Sequence, residues 1–527
     1  MKQFVSSIFF LIFLSQLSFS QIEYYGGLEG KKLDWVMYYL NEFYADSTDN
    51  AYLTDVAINS IMAELDPYSV YQTAAELEEM NKADEGFSPE SYGFAYYSIG
   101  DTTIVVYLNQ DGPAEKAGLR NSDRVLRVNG VDVTGGNYTK IEEFTSDQSL
   151  EDIVLLVKQP REKERTLTIK KDLVPLKSLD AAYMSNKYTG YIKIGRFTTK
   201  TVEEFTKKID PMISLGMANL IIDLRGNYGG VMDAAVELAD LFLLEDKLIS
   251  YKEGFNLERH DFLATANQPY RGINLSILID ENTMSAAELF ASALQDWDRA
   301  LILGRESFGK GLIQQAYSLE DGSAVRLTIG KYFTPAGRYL QRSKEDAKII
   351  ETYLEEDQIA FSVDQNVPDY MRYETSNGRG IIAASGGIIP DIYVNDLIPN
   401  TESYNQLNNE GILYAFTNSY LLTSITELKN TYTDPVSLQQ DLVFDKQLET
   451  LLGNYIVSEI NRRGLDQSMI PRIVEKDIVT QVKAWIAGHI FEEDAYYYVS
   501  MTNDLTLNRA IGAFADGTFR SINIFGF

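Results

Sequence analysis

The sequence predicts an α/β multidomain chain, and three patterns carry that expectation. Between about residues 174 and 398, short apolar runs of strand length alternate with helix-patterned ones, beginning with TGYIKIGRFT and TVEEFTKKIDPMI. Such alternation is what a sheet covered by helices requires. From about 28 to 86, LDWVMYYLNEFY and TDVAINSIMAEL keep three-to-four spacing, which predicts a helical N-terminal segment within 21–86. Beyond 399, SYNQLNNEGILYAFTNSYLLTSI, SLQQDLVFDKQLETLLGNYI and VEKDIVTQVKAWIAGHIFEE predict a helical C-terminal extension that runs to 527. Residues 87–173 end in IVLLVKQPREKERTLTIKKDL, a charged hairpin closing a small β-domain.

At 527 residues the chain is long enough for two or three domains with a sizeable core. MKQFVSSIFFLIFLSQLSFS combines Lys2, an apolar run through Leu14 and small residues at Ser18 and Ser20. It reads as a signal peptide over 1–20, cleaved before Gln21. The expected location is therefore exported, periplasmic or otherwise extracytoplasmic, and no later apolar run is long enough for an integral membrane segment. There is no cysteine, which removes disulfides, a thiolate nucleophile and cysteine-ligated metal. A net charge of -29 disfavours nucleic acid and anionic lipid surfaces as partners, and no nucleic acid is expected.

Within the α/β part the elements follow in order. NLIIDLRGNYGG is a buried strand, Leu220 to Leu224, ending in a glycine-rich loop where Gly229 or Gly230 can turn a backbone N–H toward a ligand. VMDAAVELADLFL continues as a helix. LSILIDEN is a second buried strand, Leu275 to Ile279, and SAAELFASALQDW has apolar residues at Ala286, Leu289, Phe290, Ala293 and Leu294, again helical spacing. Ser285 thus falls at a helix N-terminus, where the N–H of Ala286 and the helix dipole favour a developing oxyanion. The plainer reading is a capping box of Ser285 with Glu288. ALILG, Ala300 to Gly304, is a third strand, and AYSLEDGSAVRLTIGKYF predicts two strands joined by an Asp-Gly turn.

The chain owns two histidines, His260 and His489, and neither lies in a nucleophile-like or metal-ligand context. A serine attacking a carbonyl then needs another base, and a neutral lysine is the usual substitute. Lys310 stands between Gly309 and Gly311, with Gln314 four residues on to hold its amine without adding charge. To act as a base its pKa must fall by roughly three units, about 4 kcal/mol, from the solvated value. GRESFGKG also nearly spells a phosphate-binding loop, but Gly311 replaces the hydroxyl that would hold magnesium, and strands follow in place of a helix.

Together DLRGNYGG, NTMSAAE, SFGKGLIQ and YFTPAGR, with GGIIPDI and the upstream AELDPYSVY, resemble the C-terminal, or tail-specific, processing peptidases in order and spacing. The resemblance implies a crotonase-like β/α protease core over 174–398, with Ser285 as nucleophile, Lys310 as general base, Gln314 as its orienting partner, and Gly229 with Ala286 as the oxyanion hole. No cofactor and no metal are implied. It also implies an inserted PDZ-like domain over 87–173. There Tyr92, Gly93, Phe94 and Ala95 resemble the carboxylate-binding loop and its following strand, which would add a peptide by β-augmentation. One departure is Asn121-Ser122-Asp123 where the family has Pro-Gly-Asp. The expected partners are polypeptide substrates with free C-termini, with room for an adaptor or activator protein; oligomeric state is not legible. A catalytically silent scaffold binding protein C-termini is the alternative function, and the intact Ser285, Lys310 and Gln314 weigh against it.

Overall fold

The computed structural model describes residues 27–99, 102–135, 139–147, 149–159, 162–342, 372–376, 380–382, 386–396, 402–471 and 475–521. The expected signal peptide lies outside the described residues. Two compact units divide the chain, up to Tyr71 and from Gln72 onward. In the first, helices Gly27–Phe43 and Asn50–Ala63 form where the spacing predicts them. Asp49 caps the second by accepting the Tyr52 N–H at 3.1 Å, and Trp35, Tyr38, Tyr39 and Phe43 stack along the first.

The second unit is built on a six-stranded sheet among the described residues. Its spatial order is Leu179–Met184, Thr189–Ile194, Asn219–Asp223, Asn274–Ile279, Leu301–Gly304 and Ile392–Tyr393. The first pair is antiparallel and the others run parallel. Parallel strands need crossovers, and helices Thr201–Ser214, Met232–Asp240 and Ala286–Asp296 supply them. Along each strand the side chains alternate between two buried faces. Leu220, Ile222, Ile277, Ile279 and Ile302 meet these helices. Ile221, Leu278, Leu301 and Leu303 meet Leu507, Ala510 and Ala513 on the other side. Helix Leu505–Ala515 of the extension thus covers the second face of the sheet. The extension helices between Glu402 and Ser500 pack around Phe416, Leu452, Ile456, Ile478 and Val482 as their own core.

A second, antiparallel sheet pairs Leu312–Ser318 with Ala324–Phe333, Ala324–Phe333 with Leu248–Gly254, and Leu248–Gly254 with Leu257–Leu263. The expected Asp-Gly turn sits between the first two, with Gly322 at φ 87°.

Residues 94–170 form the small β-domain. Strands Phe94–Ile99, Thr102–Leu108, Arg124–Val128, Asp152–Lys158 and Arg165–Lys170 pair in that order around Val105, Val125, Ile153, Leu155 and Ile169. Its entering and leaving segments, Phe87–Ser91 and Asp172–Pro175, pair with each other, so the domain hangs from a two-stranded stem. At the departure from the family pattern, Ser122 takes φ 69°, a left-handed conformation that glycine adopts without strain. Buried Asp123 is held by both oxygens to Arg165 at 2.6 Å, which fixes the turn by side-chain bonds.

Candidate active site

Helix Ala286–Asp296 is buried along its whole length, polar residues included, so it has no solvated face and every polar group on it needs a partner. At its C-terminal end Asp296 pairs with Arg338 at 2.6 Å, both fully buried, and Gln295 bonds Ile389 O and Asp391 at 2.9 Å. Residues of YFTPAGR and GGIIPDI are thereby tied to this helix.

Its N-terminal end is Ser285, at φ 57° and ψ −115°. That conformation suits glycine and strains a residue with a Cβ. It is held by the turn before it, where Asp280 N–H bonds the Thr283 hydroxyl at 3.0 Å and that hydroxyl reaches Leu224 O at 2.9 Å. The N–H of Ala286, in the first turn, falls outside the intrahelical ladder.

Glu288 is the hub of the site. Its carboxylate accepts the N–H of Ser285 at 2.9 Å, the hydroxyl of Ser307 at 2.5 Å, the N–H of Gly309 at 2.7 Å and the N–H of Lys310 at 2.8 Å. Burial disfavours its charge and pushes its pKa up to about 7 in spite of these four donors. The capping box read from the sequence is therefore one part of a larger device: Ser285 and Lys310 donate to the same oxygen, Oε2. Tyr332 adds a second link, since its hydroxyl lies within hydrogen-bonding distance of Ser285 O, at 3.0 Å, and of Lys310 O. Burial, then the nearby Glu288 carboxylate, raise the Tyr332 pKa, which keeps it a donor.

Lys310 leads into strand Leu312–Ser318, not into a helix, so the phosphate-loop reading finds no helix N-terminus here. Its Nζ donates to Gln314 Oε1 at 3.2 Å. The flanking glycines answer to close approach: a Cβ on Gly309 would stand 2.8 Å from Gly387 N, and one on Gly311 2.8 Å from Gln341 N.

The glycine-rich loop packs directly against this serine. A Cβ on Gly229 would meet Met284 O and Ser285 Cβ at 2.9 Å and Ala286 N at 3.2 Å. Met284 N–H bonds Asn227 O at 2.9 Å. The structure thus brings Gly229 and Ala286 together beside Ser285, with one difference from the expectation. Gly229 N–H donates to Asn227 Oδ1 at 2.8 Å within its own loop, so the bond the resemblance assigns to an oxyanion is occupied by a buried carboxamide.

In the β-domain, Tyr92 is buried, and its hydroxyl donates to Leu150 O at 3.2 Å. Gly93, at φ 72°, lies so close to Pro113 that a Cβ would come within 2.8 Å of Cδ. Phe94 and Ala95 open the strand at the end of the sheet order, paired on one side with Leu108 and Tyr107. Outside these sites, His260 lies on an exposed strand against Phe262, and His489 bonds Trp485 O at 2.7 Å on an extension helix.

Known proteins are similar to this chain in sequence. Residues 188–349 match peptidase family S41 and residues 104–171 match the PDZ domain. Over those residues the chain is similar to the S41 peptidase family and to the PDZ domain, in line with the resemblance to the C-terminal processing peptidases. Among individual proteins it is similar to the probable CtpA-like serine protease of Staphylococcus epidermidis, 31% identical over 317 residues, which are 59% of this chain and 63% of the relative. The probable CtpA-like serine protease of Staphylococcus aureus is 30% identical over 59% of this chain and 62% of its own length. The chain thus spans under two thirds of the length of these relatives. The solved structure of a photosystem II D1 C-terminal processing protease aligns at 22% identity and a TM-score of 0.38, covering 72% of this chain and 89% of that one.

Proposed function

We propose that this protein is a serine endopeptidase that cleaves exported polypeptides near their C-termini, with its core in the crotonase-like arrangement the resemblance implies. The observation that carries the reading is the Glu288 carboxylate, which fastens the backbone of Ser285 and that of Lys310 to one oxygen. A device of that kind serves two side chains that must act on each other, because small displacements of reacting groups cost large factors in rate.

In this mechanism neutral Lys310 takes the hydroxyl proton of Ser285 as Oγ attacks the scissile carbonyl. Gln314 orients the amine without placing a carboxylate beside it. The N–H of Ala286 stabilises the oxyanion. Gly229 N–H joins it by exchanging the neutral Asn227 carboxamide for the charged oxygen, the stronger acceptor. On collapse Lys310 returns the proton to the leaving amine, and it then deprotonates the water that hydrolyses the acyl ester. The PDZ-like domain selects substrates: the strand from Phe94 receives the tail, and the backbone around Tyr92 to Ala95 receives its carboxylate.

The test compares one unfolded polypeptide with a free or an amidated C-terminus, using the intact protein and Ser285→Ala. Cleavage of the free acid at least several-fold faster than the amide, absent in Ser285→Ala, is expected. Equal cleavage of both forms would remove tail recognition. Tail binding without any cleavage would instead establish the silent scaffold.

A further inference from the structure

We infer that Asp504, carried by the helical extension, is a positioning residue for the loop beside Ser285 and acts through Arg225. Arg225 lies in the stretch between strand Asn219–Asp223 and helix Met232–Asp240, four residues before Gly229. Its guanidinium is nearly buried and held on separate edges. Nε and Nη2 donate to Asp223 at 3.0 and 2.7 Å, while Nη1 donates to Asp504 at 2.8 Å and to Asp396 at 3.2 Å. Asp504 uses its other oxygen to cap helix Leu505–Ala515, accepting the Leu507 N–H at 2.6 Å. One carboxylate therefore docks the covering helix and fixes Arg225 in the same step.

From Arg225 the restraint passes along the loop. Its carbonyl accepts Lys193 Nζ at 2.7 Å, and the N–H of Gly226 bonds Asp280 at 2.9 Å. Asn227 then bonds Met284, next to Ser285, and Gly229 stands against Ser285 itself. A planar guanidinium with fixed donor directions transmits orientation in a way a flexible ammonium does not.

The local charges show why the role concerns position more than folding. Asp223, Asp396, Asp504 and Glu281 face Arg225, Arg305 and Lys193. Removing the charge of Asp504 leaves Arg225 paired with Asp223, so no buried cation is stranded. Asparagine at 504 also keeps the helix cap. What is lost is the hold on one edge of the guanidinium.

The inference rests on the peptidase reading, and the experiment separates the two. Wild type, Asp504→Asn and Thr506→Val, which loses its own bond to Asp396 but not Arg225, are compared in peptide cleavage, thermal unfolding and backbone amide exchange of residues 225–230. For Asp504→Asn we expect kcat to fall about tenfold with KM and Tm little changed, and faster exchange in that loop. Thr506→Val is expected to match wild type. Unchanged exchange in Asp504→Asn, or a fall in kcat that tracks a fall in Tm, would overturn the positioning role. A wild-type protein that neither cleaves peptides nor reacts at Ser285 with a serine-directed phosphonate would overturn the peptidase reading, and the exchange comparison alone would then decide the role of Asp504.

Discussion

Glu288 Oε2 accepts the backbone N–H of Lys310 at 2.8 Å from 22 residues away in sequence, and the same atom accepts the N–H of Ser285. A carboxylate surrounded by four donors is an acceptor with no equivalent among neutral side chains.

We predict that Glu288→Gln folds but loses about 10²-fold in activity, because the amide turns a donor toward donors and displaces a strand or loop. Its effect on stability depends on pH. The folded-state pKa is raised from 4.5 to about 7, so between those values the native protein holds a proton there that the unfolded chain has released, and above about 7 it carries the carboxylate. The stability contributed is full below 4.5 and is lost as pH rises to about 7, by up to about 3 kcal/mol. Urea unfolding of both proteins between pH 4 and 8, read as their difference, should show that decline; a flat difference counts against it.

Ser285→Ala and Ser285→Gly should both be inactive, yet unequal in stability. The alanine keeps the Cβ at φ 57°, and the glycine relieves it, by about 1 kcal/mol. Thermal unfolding that ranks the alanine variant above the glycine one would deny the strain.

Lys310→Arg should be as inactive as Lys310→Ala, since guanidinium does not deprotonate at accessible pH. Gln314→Glu is the subtler probe. A carboxylate in place of the amide favours the charged lysine, so the acid limb of the rate profile should move to higher pH. A profile unchanged by that substitution would separate Gln314 from the base.

At the far end of the same helix, Arg338→Met leaves Asp296 charged and buried, and should destabilise by about 3–5 kcal/mol in urea unfolding. Adding Asp296→Leu should recover most of the loss. If the double variant is no better than the single, the penalty comes from packing instead.

Much of this site is legible in the sequence because its parts are local. Strands expected at Leu220–Leu224, Leu275–Ile279 and Ala300–Gly304 appear at Asn219–Asp223, Asn274–Ile279 and Leu301–Gly304. Each is a short apolar run bounded by a polar turn, and periodicity is enough to find it. Glu288 is visible as the third residue after Ser285, but its bonds to Ser307, Gly309 and Lys310 cross from another loop, and no local pattern announces them. Tyr332 and Asn227 are hidden for the same reason. The extension shows its helices as apolar spacing, whereas its docking through Asp504 depends on a partner 279 residues away. Occupation of Gly229 N–H by Asn227 is also beyond motif reading, since the motif fixes residue types and not the direction of an N–H.

Helix Leu505–Ala515, as the cover of the sheet's second face, has a consequence during synthesis. Strand Ile392–Tyr393 completes the sheet, and the helix that covers Ile221, Leu278 and Leu303 follows roughly a hundred residues later. At about 5–20 residues per second that is an interval on the order of ten seconds. Throughout it the nascent chain holds Ser285 and Lys310 but one open apolar face, and Arg225 lacks one of its anchors. Cover for that face and the Asp504 anchor of Arg225 arrive together, on one helix, so the sheet and the loop beside Ser285 are completed in the same folding step.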